Sequence, residues 1–562
     1  MTEITSGLPE YPLRRFWRLI GAERRDITFL YIYAVLAGLI SLSLPLGIQA
    51  IVNFVAGGQL TTSWGVLVFL VILGVALNGV LQIMQLSITE IIQQRIFTNS
   101  AFEFAFRVPR MRLESLYRHY APELVNRFFD TLNVQKGLSK ILIDLSSSTL
   151  QVIFGLALLS FYHPLFILFG IALVILLYMI IRYTGPMGFR TSLQESKYKY
   201  QVVHWLEELA RSMEVFKMAG PPDLPMVRTD GLVVSYLDSR KRHFRVLLTK
   251  YGFMVAFKVL IIAALLIIGS VLVVQNEMNI GQFVAAEIVI ILLINSVEKL
   301  ILSVETVYDV LTALEKIGYV MDIPLEQPNA KKFVPVEDGR GLAIHIADLH
   351  FGLPDSAEIL AGVNLEVAAG EKLCISGKSE PGKALLLRLL AGFYQDYTGA
   401  VTVNGMPLRN LDLCNLRGHI GGFTSLQSVF DGTLLENITL GRGSCSLDEV
   451  LRIIKVVGLQ NYIDNEPLGF EKRITPEEAK LPQSAYRKIL LARALASKPR
   501  LLLLNEPFIG LTQGERDQLR KFITESMPHA TVIMTLDEPD SAQGFDRVVE
   551  MKNGTIDSPN KS

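Results

Sequence analysis

The chain has 562 residues, enough for two or three domains, and half of them are hydrophobic. Its mean hydropathy of +0.36 is high for a soluble protein of this length. Lysine plus arginine equals aspartate plus glutamate at 54 each, which excludes a bulk charge that would attract nucleic acid. The cysteines Cys374, Cys414 and Cys445 have an irregular spacing that fits neither a disulfide framework nor a metal site.

The apolar residues are concentrated before about residue 310, in runs long enough to cross a bilayer, which needs about 20 residues. Six segments are predicted to span the membrane: 28–52, 63–88, 141–162, 164–183, 252–275 and 282–304. Long stretches of mixed polarity and helical periodicity separate the second span from the third and the fourth from the fifth. We expect these stretches to form two long arms.

The basic residues outside the spans lie almost entirely on one side of the predicted bundle. The connections at 53–62 and 276–281 carry no lysine or arginine, whereas the other side carries clusters around Arg14, Arg107 and Arg240. Positively charged loops stay in the cytoplasm. We therefore expect a multi-pass protein of the plasma (inner) membrane with both termini and both arms in the cytoplasm.

A short amphipathic helix is predicted ahead of the first span. Apolar residues there repeat at helical spacing between arginines: Leu13, Phe16, Trp17 and Ile20. This pattern is typical of a helix that lies in the headgroup plane, and a soluble amphipathic helix is the alternative.

A change of composition to Pro, Lys, Glu and Gly marks a linker after the last span, and β-type runs then alternate with helical ones, as in an α/β domain. The predicted strand 372–375 leads directly into the loop 377–384, which reads Gly-Lys-Ser-Glu-Pro-Gly-Lys-Ala, and the apolar helix 385–390 follows. Strand, glycine-bounded loop and helix are the context that a phosphate-binding P-loop needs.

Six spans, two cytoplasmic arms and a P-loop domain, in this order, resemble a type I ABC exporter half-transporter over nearly the whole chain. Further matching segments are 430–433, 436–438 and 492–495, and those at 45–46 and 437–441 resemble the branch that secretes toxins and peptides. The resemblance implies an α-helical six-span transmembrane domain of ABC exporter type plus an α/β P-loop ATPase-like domain. The implied domains are a cytoplasmic interfacial helix at 1–27, the transmembrane domain at 28–318, a linker at 319–340, a degenerate nucleotide-binding domain at 341–557 and a tail at 558–562.

The Walker A loop keeps only part of the family pattern. In the family its N–H groups cradle phosphates, its Lys contacts the β- and γ-phosphate oxygens, and a Ser or Thr hydroxyl binds Mg²⁺. Gly377, Gly382 and Lys383 match this pattern, but Ala384 has no hydroxyl.

Two further changes disfavour phosphate in the same loop. Glu380 stands where the family has Gly. A carboxylate about 4 Å from a phosphate charge repels it by roughly 4 kcal/mol at an effective dielectric constant of 20. Pro381 removes an amide donor. The loop is therefore predicted to bind ATP weakly if at all.

The other catalytic motifs of the family are also altered. Asn505 replaces the aspartate that holds Mg²⁺, whereas Glu506 keeps the position of the carboxylate that activates water. Ser425 occupies the position of the Q-loop glutamine, and Asp537 lies in the region where the family has its switch histidine. Leu353 replaces the aromatic residue that stacks on adenine.

The family's signature motif Leu-Ser-Gly-Gly-Gln donates to the γ-phosphate held by the opposite subunit. Here the motif keeps its leucine and differs at the other four positions: Leu481, Pro482, Gln483, Ser484 and Ala485. Pro482 has no donor to offer, and side chains on the next two residues obstruct a close backbone approach.

With a change in every motif, we expect an inactive ATPase domain. Lys383 could still contact nucleotide or simply neutralise Glu380, and Glu506 could be a structural carboxylate or a base. The leading hypothesis is a pseudo-transporter that acts as a scaffold or regulatory subunit of an envelope transport or secretion assembly. The alternative is a transport subunit of an ABC exporter heterodimer that an intact partner drives by ATP hydrolysis.

The expected partners and cofactors follow from these two hypotheses. The protein should need no cofactor; weak ATP binding stays open, and we do not expect Mg²⁺ to bind. Its partners should be the lipid bilayer and a second ABC half, identical or different, with a periplasmic adaptor as a further option and no nucleic acid. Coupling helices that dock on P-loop domains are expected near 122–128 and 207–216.

Overall fold

The computed structural model describes residues 12–58, 62–117, 121–220, 223–326, 331–333, 340–354, 357–378, 381–424, 427–443, 445–475, 481–538 and 543–557. The chain divides into two compact units. The first comprises Met1–Pro109 and His119–Ile323, and the second comprises Arg110–Arg118 and Pro324–Ser562.

Long helices dominate the chain as far as residue 323. In chain order they are α1 (Pro12–Ala22), α2 (Arg24–Ser41), α3 (Ser43–Ala56), α4 (Thr62–Arg107), α5 (Leu113–Leu116), α6 (Ala121–Asn126), α7 (Asp130–Lys140), α8 (Ser146–Tyr162), α9 (Leu165–Arg211), α10 (Met213–Met218), α11 (Leu224–Val274) and α12 (Ile280–Met321). The break between α2 and α3 is explained by Pro45, which lacks an N–H and clashes with the carbonyl of Ser41 four residues earlier.

Six helical segments are long and apolar enough to cross a membrane: Arg24–Ala56, Thr62–Arg110, Glu123–Tyr162, Leu165–Arg211, Leu224–Val274 and Ile280–Met321. The six predicted spans fall in these segments, one in each, so the prediction of six apolar helices is confirmed. Most of the helices continue well beyond their apolar stretch, because the mixed-polarity arms extend the same helices.

Helix α12 is the central element of the first unit. Its residues contribute to two apolar clusters, one shared with α8, α9 and α11 and the other with α2, α4 and α7. The helix begins at a capping box in which Asn279 and Gln282 each accept the other's backbone N–H. Gly281 allows α3 to approach closely, since a Cβ there would meet the Asn53 amide oxygen at 2.2 Å.

The amphipathic helix expected before the first span is present as α1. Phe16 and Ile20 pack against the cluster formed by α2, α4, α7 and α12, whereas Leu13 and Trp17 are exposed. The apolar stripe is therefore divided between the bundle and the surface, and its placement in the headgroup plane stays a prediction.

The second unit is built on β-sheets. Its strands are β1 (Ile344–Gly352), β2 (Glu358–Val367), β3 (Lys372–Ser376), β4 (Thr398–Val403), β5 (Met406–Pro407), β6 (Ile420–Phe423), β7 (Gly432–Thr433), β8 (Arg473–Ile474), β9 (Leu501–Asn505), β10 (Thr531–Leu536), β11 (Arg547–Lys552) and β12 (Thr555–Asp557). Its helices after residue 323 are α13 (Pro381–Leu390), α14 (Leu413–Arg417), α15 (Leu434–Thr439), α16 (Leu447–Val456), α17 (Gln460–Asp464), α18 (Gln483–Ala496) and α19 (Gln513–Lys521).

The main sheet has the strand order β12-β11-β3-β10-β9-β6, and all neighbours except β12 and β11 are parallel. A four-stranded antiparallel sheet has the order β2-β1-β4-β5. In β9, Leu501 and Leu503 belong to one apolar cluster and Leu502 and Leu504 to another. A run of leucines buried on both faces is typical of a parallel strand covered on both sides.

One short segment from the first arm belongs to the second unit. It is Arg110–Arg118, which contains α5, and the carboxylate of Glu114 there accepts the backbone N–H of Gln395. We expected the docking element near 122–128, but the chain from His119 onward belongs to the helical unit. Docking of 122–128 on a P-loop domain therefore stays a prediction, and the described segment that belongs to the second unit lies before it in the chain.

The second arm ends in a separate short helix, as expected for its tip. Helix α9 ends at Arg211, and α10 covers Met213–Met218, so the expected element at 207–216 is placed a few residues early. Its docking on a partner subunit stays a prediction.

Candidate nucleotide site

The P-loop lies where the sequence predicted it, between β3 and α13. Gly377 follows the strand, whereas Glu380 lies outside the described residues. Pro381 is the first residue of α13, a position where proline fits because the missing N–H has no partner within the helix. Gly382 is buried, and a Cβ there would meet the sulfur of Met551 at 2.9 Å.

Lys383 is surrounded by protein acceptors. Its ammonium group donates to the carbonyls of Gly377 at 2.5 Å and Leu536 at 2.9 Å, and to the carboxylate of Asp537 at 2.7 Å. The Glu506 carboxylate lies 3.3 Å from the same nitrogen, and the side chain is only 4% exposed. Since an ammonium has three donors, these four acceptors occupy all of its hydrogen-bonding capacity.

Glu506 is fixed by its backbone as well as by Lys383. It has a positive φ of 48°, its N–H donates to the Thr535 carbonyl at 3.1 Å, and its own carbonyl accepts from Arg487 at 2.8 Å. Burial raises the pKa of the Glu506 carboxyl, and the nearby Lys383 ammonium opposes that rise. The carboxylate is thus placed as a partner for Lys383.

The two described positions that would bind Mg²⁺ in the family carry no charge. The amide oxygen of Asn505 accepts the hydroxyl hydrogen of Thr535 at 2.9 Å, and Ala384 provides no oxygen in its side chain. Burial raises the pKa of the Cys374 thiol on β3 to about 12, so this cysteine stays a neutral thiol. These residues do not provide the anionic oxygens that Mg²⁺ prefers.

The described residues near the Q-loop and the adenine position contact other parts of the protein. Ser425 lies outside the described residues, and the side-chain amide of the nearby Gln427 donates to the Gly422 carbonyl at 2.9 Å. Leu353 is half-buried and packs against the apolar core. The neighbouring Phe351 is buried, so it does not offer a free ring face to a base.

The residues at the signature position form the start of α18. Pro482 is the N-cap residue and has no side-chain acceptor for the free N–H groups that follow. Leu481 is half-buried, Gln483 and Ser484 are exposed, and Ala485 is buried. The helix start therefore presents two side chains where the family presents glycine backbone.

Sequence reasoning missed the contact between Lys383 and Asp537, because it treated Asp537 only as a replacement for histidine. The order of the strands in the main sheet could have predicted this contact. Strands β3 and β10 are parallel neighbours, with Ser376 opposite Leu536, so the residues that follow both strands meet at one edge of the sheet.

Two family models match the chain. The ABC transporter transmembrane region matches residues 27–297, and the ABC transporter model matches residues 360–509. Together they cover the helical bundle and the core of the P-loop domain. The chain thus carries both regions of an ABC half-transporter. The predicted fold class is thereby confirmed.

Individual relatives of the half-transporter are distant. The ATP-dependent lipid A-core flippase of Desulfotalea psychrophila is 23% identical over 85% of this chain and 84% of its own length. The lactococcin-A transport/processing protein LcnC of Lactococcus lactis is 20% identical over 97% and 76%. Two other bacterial ABC proteins are matched over only about half of their length, 51% and 50%.

A solved structure of a bacterial Atm1-family ABC exporter with ATP bound is similar to this half-transporter with a TM-score of 0.83. It covers 95% of this chain and 94% of the other chain at 19% sequence identity. At this identity the similarity shows the fold alone.

Proposed function

We propose that this half-transporter does not hydrolyse ATP and acts as a scaffold or regulatory subunit of a transport assembly in the plasma membrane. The observation that carries the proposal is the environment of Lys383, whose ammonium group is occupied by two carbonyls and two carboxylates.

Nucleotide binding would have to break these contacts. Once Lys383 turned to a phosphate, Glu506 and Asp537 would lie beside a group of the same charge. Each such pair about 4 Å apart repels by roughly 4 kcal/mol at an effective dielectric constant of 20. Mg²⁺ could offset this repulsion, but Ala384 and Asn505 offer it no anionic ligand.

The signature supports the same proposal for a pair of subunits. ABC domains hold each nucleotide between the Walker A loop of one subunit and the signature of the other, which is a property of the family. In this chain Pro482, Gln483 and Ser484 alter the half that would serve a partner's nucleotide. A partner with intact motifs is therefore not expected to restore fast hydrolysis.

One observation favours the second candidate, a transport subunit of a heterodimer. A cavity of about 650 Å³ lies among α2, α3, α4, α8 and α12, and polar side chains such as Asn78, Gln82, Gln151 and Asn295 line it. Polar residues within spanning helices often mark a substrate path. Co-purification of an ABC half with intact motifs, and ATP-driven transport by that pair, would establish this alternative.

The proposal extends to assembly and topology. We expect a dimer in the bilayer, formed with an identical or a different ABC half, and a cytoplasmic P-loop domain. A periplasmic adaptor is compatible with the scaffold role. The protein should need neither Mg²⁺ nor ATP for this role.

Nucleotide binding by the purified full chain tests the proposal. We expect weak binding of a fluorescent ATP analogue that Mg²⁺ does not strengthen. A variant with Glu380→Gly, Ala384→Ser and Asn505→Asp should gain Mg²⁺-dependent binding, which provides the positive control. Tight, Mg²⁺-dependent binding by the unmodified chain would contradict the proposal.

A further inference from the structure

One cavity in the helical unit lies among the polar ends of its long helices. It has a volume of about 800 Å³ and lies among α6, α9, α11 and α12. Its lining contains five lysine or arginine side chains against two glutamates: Arg127, Arg190, Lys197, Arg228 and Lys316 against Glu123 and Glu315. The lining side chains therefore carry an excess of three positive charges.

Three of these cations lie over aromatic rings that also line the cavity: Arg228 over Trp205 at 4.3 Å, Lys316 over Tyr200 at 4.1 Å, and Arg127 over Tyr319 at 4.5 Å. An aromatic face stabilises a cation through its ring quadrupole without cancelling the charge of the cation. The rings thus hold the cations in place and leave the positive potential of the cavity intact.

Carboxylates neutralise this cluster only in part. Arg127 lies 3.4 Å from Glu123, and Lys316 lies 3.9 Å from the buried Asp130. Among the described residues, Arg228 has no carboxylate within ion-pair distance. The Nε of Arg127 is buried and has no hydrogen-bond partner in the described part of the chain. An unsatisfied buried donor is destabilising, and a bound anion that accepts from it would remove this penalty.

The distance of the cavity from the apolar segments indicates whether the anion is a lipid headgroup or a soluble molecule. Trp205 lies 22 residues beyond the apolar segment that ends at 183, which is roughly 33 Å along a helix. Arg228 lies 24 residues before the apolar segment that begins at 252, roughly 36 Å. Lipid headgroups at the membrane surface do not extend that far, so the ligand is soluble.

We propose that this cavity binds a soluble anion with several phosphate groups. Guanidinium groups match phosphate oxygens in pairs, and a cluster of cations favours a ligand with several charges over a single carboxylate. All of these residues lie in the helical unit, so the inference does not depend on the state of the P-loop. A subunit that does not hydrolyse ATP would then still bind a ligand, at a site separate from the P-loop.

The chain has three tryptophans, Trp17, Trp64 and Trp205, which allows a direct test. The reconstituted full chain carries Trp17→Phe and Trp64→Phe, so that only Trp205 reports, and Lys383→Ala, so that the P-loop lysine does not contribute. Sodium tripolyphosphate is titrated at constant ionic strength. We expect a saturable change in Trp205 fluorescence, because the Arg228 guanidinium lies over the indole.

Variants separate the site from general charge effects. Arg127→Gln and, independently, Arg228→Gln should each weaken tripolyphosphate binding about tenfold, the effect of removing one charge-assisted contact of about 1.4 kcal/mol. Arg242→Gln on α11, an exposed residue outside the lining, is the matched control and should leave binding unchanged.

Three outcomes would overturn the inference. The first is no saturable response, and the second is an equal loss in the Arg242→Gln control, which would make the effect one of bulk charge. The third is a response only to vesicles that contain phosphorylated lipid and none to tripolyphosphate, which would assign the cavity to a headgroup.

Discussion

Lys383 occupies the position of the P-loop lysine, but its partners in this protein are two carboxylates and two carbonyls. Asp537 is the key difference, because it comes from the strand beside the P-loop strand and lies 2.7 Å from the ammonium nitrogen. At the scale of single residues, the retained lysine is thus a member of an internal ion-pair network.

The network predicts energetic coupling between Lys383 and Glu506. Lys383→Met leaves two carboxylates facing each other and should lower the free energy of unfolding of the P-loop domain by about 1–3 kcal/mol. The loss should be smaller when Glu506→Gln is also present, with a coupling of about 0.5–3 kcal/mol. Lys378→Met, which changes an exposed lysine of the same loop, is the control and should have little effect.

Tryptophan fluorescence cannot report the unfolding of the P-loop domain, because all three tryptophans lie outside it. Cysteine labelling can report it selectively, because all three cysteines lie inside this domain. With Cys414→Ser and Cys445→Ser, the buried Cys374 on β3 becomes the only thiol and reacts with a dye only on unfolding. Strictly additive effects of the two substitutions would contradict the network.

The raised pKa of Glu506 predicts how stability depends on pH. Burial raises this pKa above the ordinary value of 4.5, so the ionised form is disfavoured in the folded protein. The stabilising contribution of Glu506 to the free energy of unfolding is therefore fully present below pH 4.5. It is lost as pH rises through the pKa of Glu506 in the folded protein. The same thiol assay should show Glu506→Gln melting above wild type at pH 8, with the difference shrinking toward pH 4.5. A difference that grows as pH falls would show that the sign is wrong.

At the scale of elements, periodicity and composition gave the helices and the P-loop strand correctly because each is encoded locally. The apolar runs, Pro45 and the glycine-bounded loop all act within a few residues of their own position. The segment Arg110–Arg118 could not be located in this way, because its membership in the second unit depends on contacts with residues near Gln395, far away in the sequence.

The candidate site shows the same limit. Its replaced residues could be identified one by one from the sequence, but the pairing of Lys383 with Asp537 depends on the order of strands in the sheet. Likewise, the cavity around Trp205 joins residues from four helices and has no sequence motif.

The orientation of the helices gives a prediction at this scale. The connections near Gly57, His163 and Asn276 are short and carry no lysine or arginine, so they should lie outside the cytoplasm. Single cysteines at these positions, in a chain without Cys374 and Cys445, should react in intact cells with a reagent that cannot cross the membrane. Cys414, exposed on the P-loop domain, should react only after the cells are opened and serves as the internal control. The reverse pattern would overturn the topology.

At the scale of the whole molecule, the fold of an ABC half-transporter is kept while several residues of the family's nucleotide-binding motifs are replaced. The two family models and the Atm1-family exporter structure establish the helical domain and the ATPase-like fold. The altered residues occur in both halves of the composite site, since Ala384 and Asn505 belong to one half and Pro482 to the other. This distribution supports the proposal that the subunit does not hydrolyse ATP.

The steady-state rate of ATP hydrolysis by the full chain in lipid bilayers, at saturating Mg²⁺-ATP, tests this account most directly. Three samples are compared: the unmodified chain, Lys383→Ala, and empty liposomes. We expect all three to give the same background rate. Hydrolysis by the unmodified chain that Lys383→Ala abolishes would contradict the account, because it would require Lys383 to leave Glu506 and Asp537 and bind phosphate.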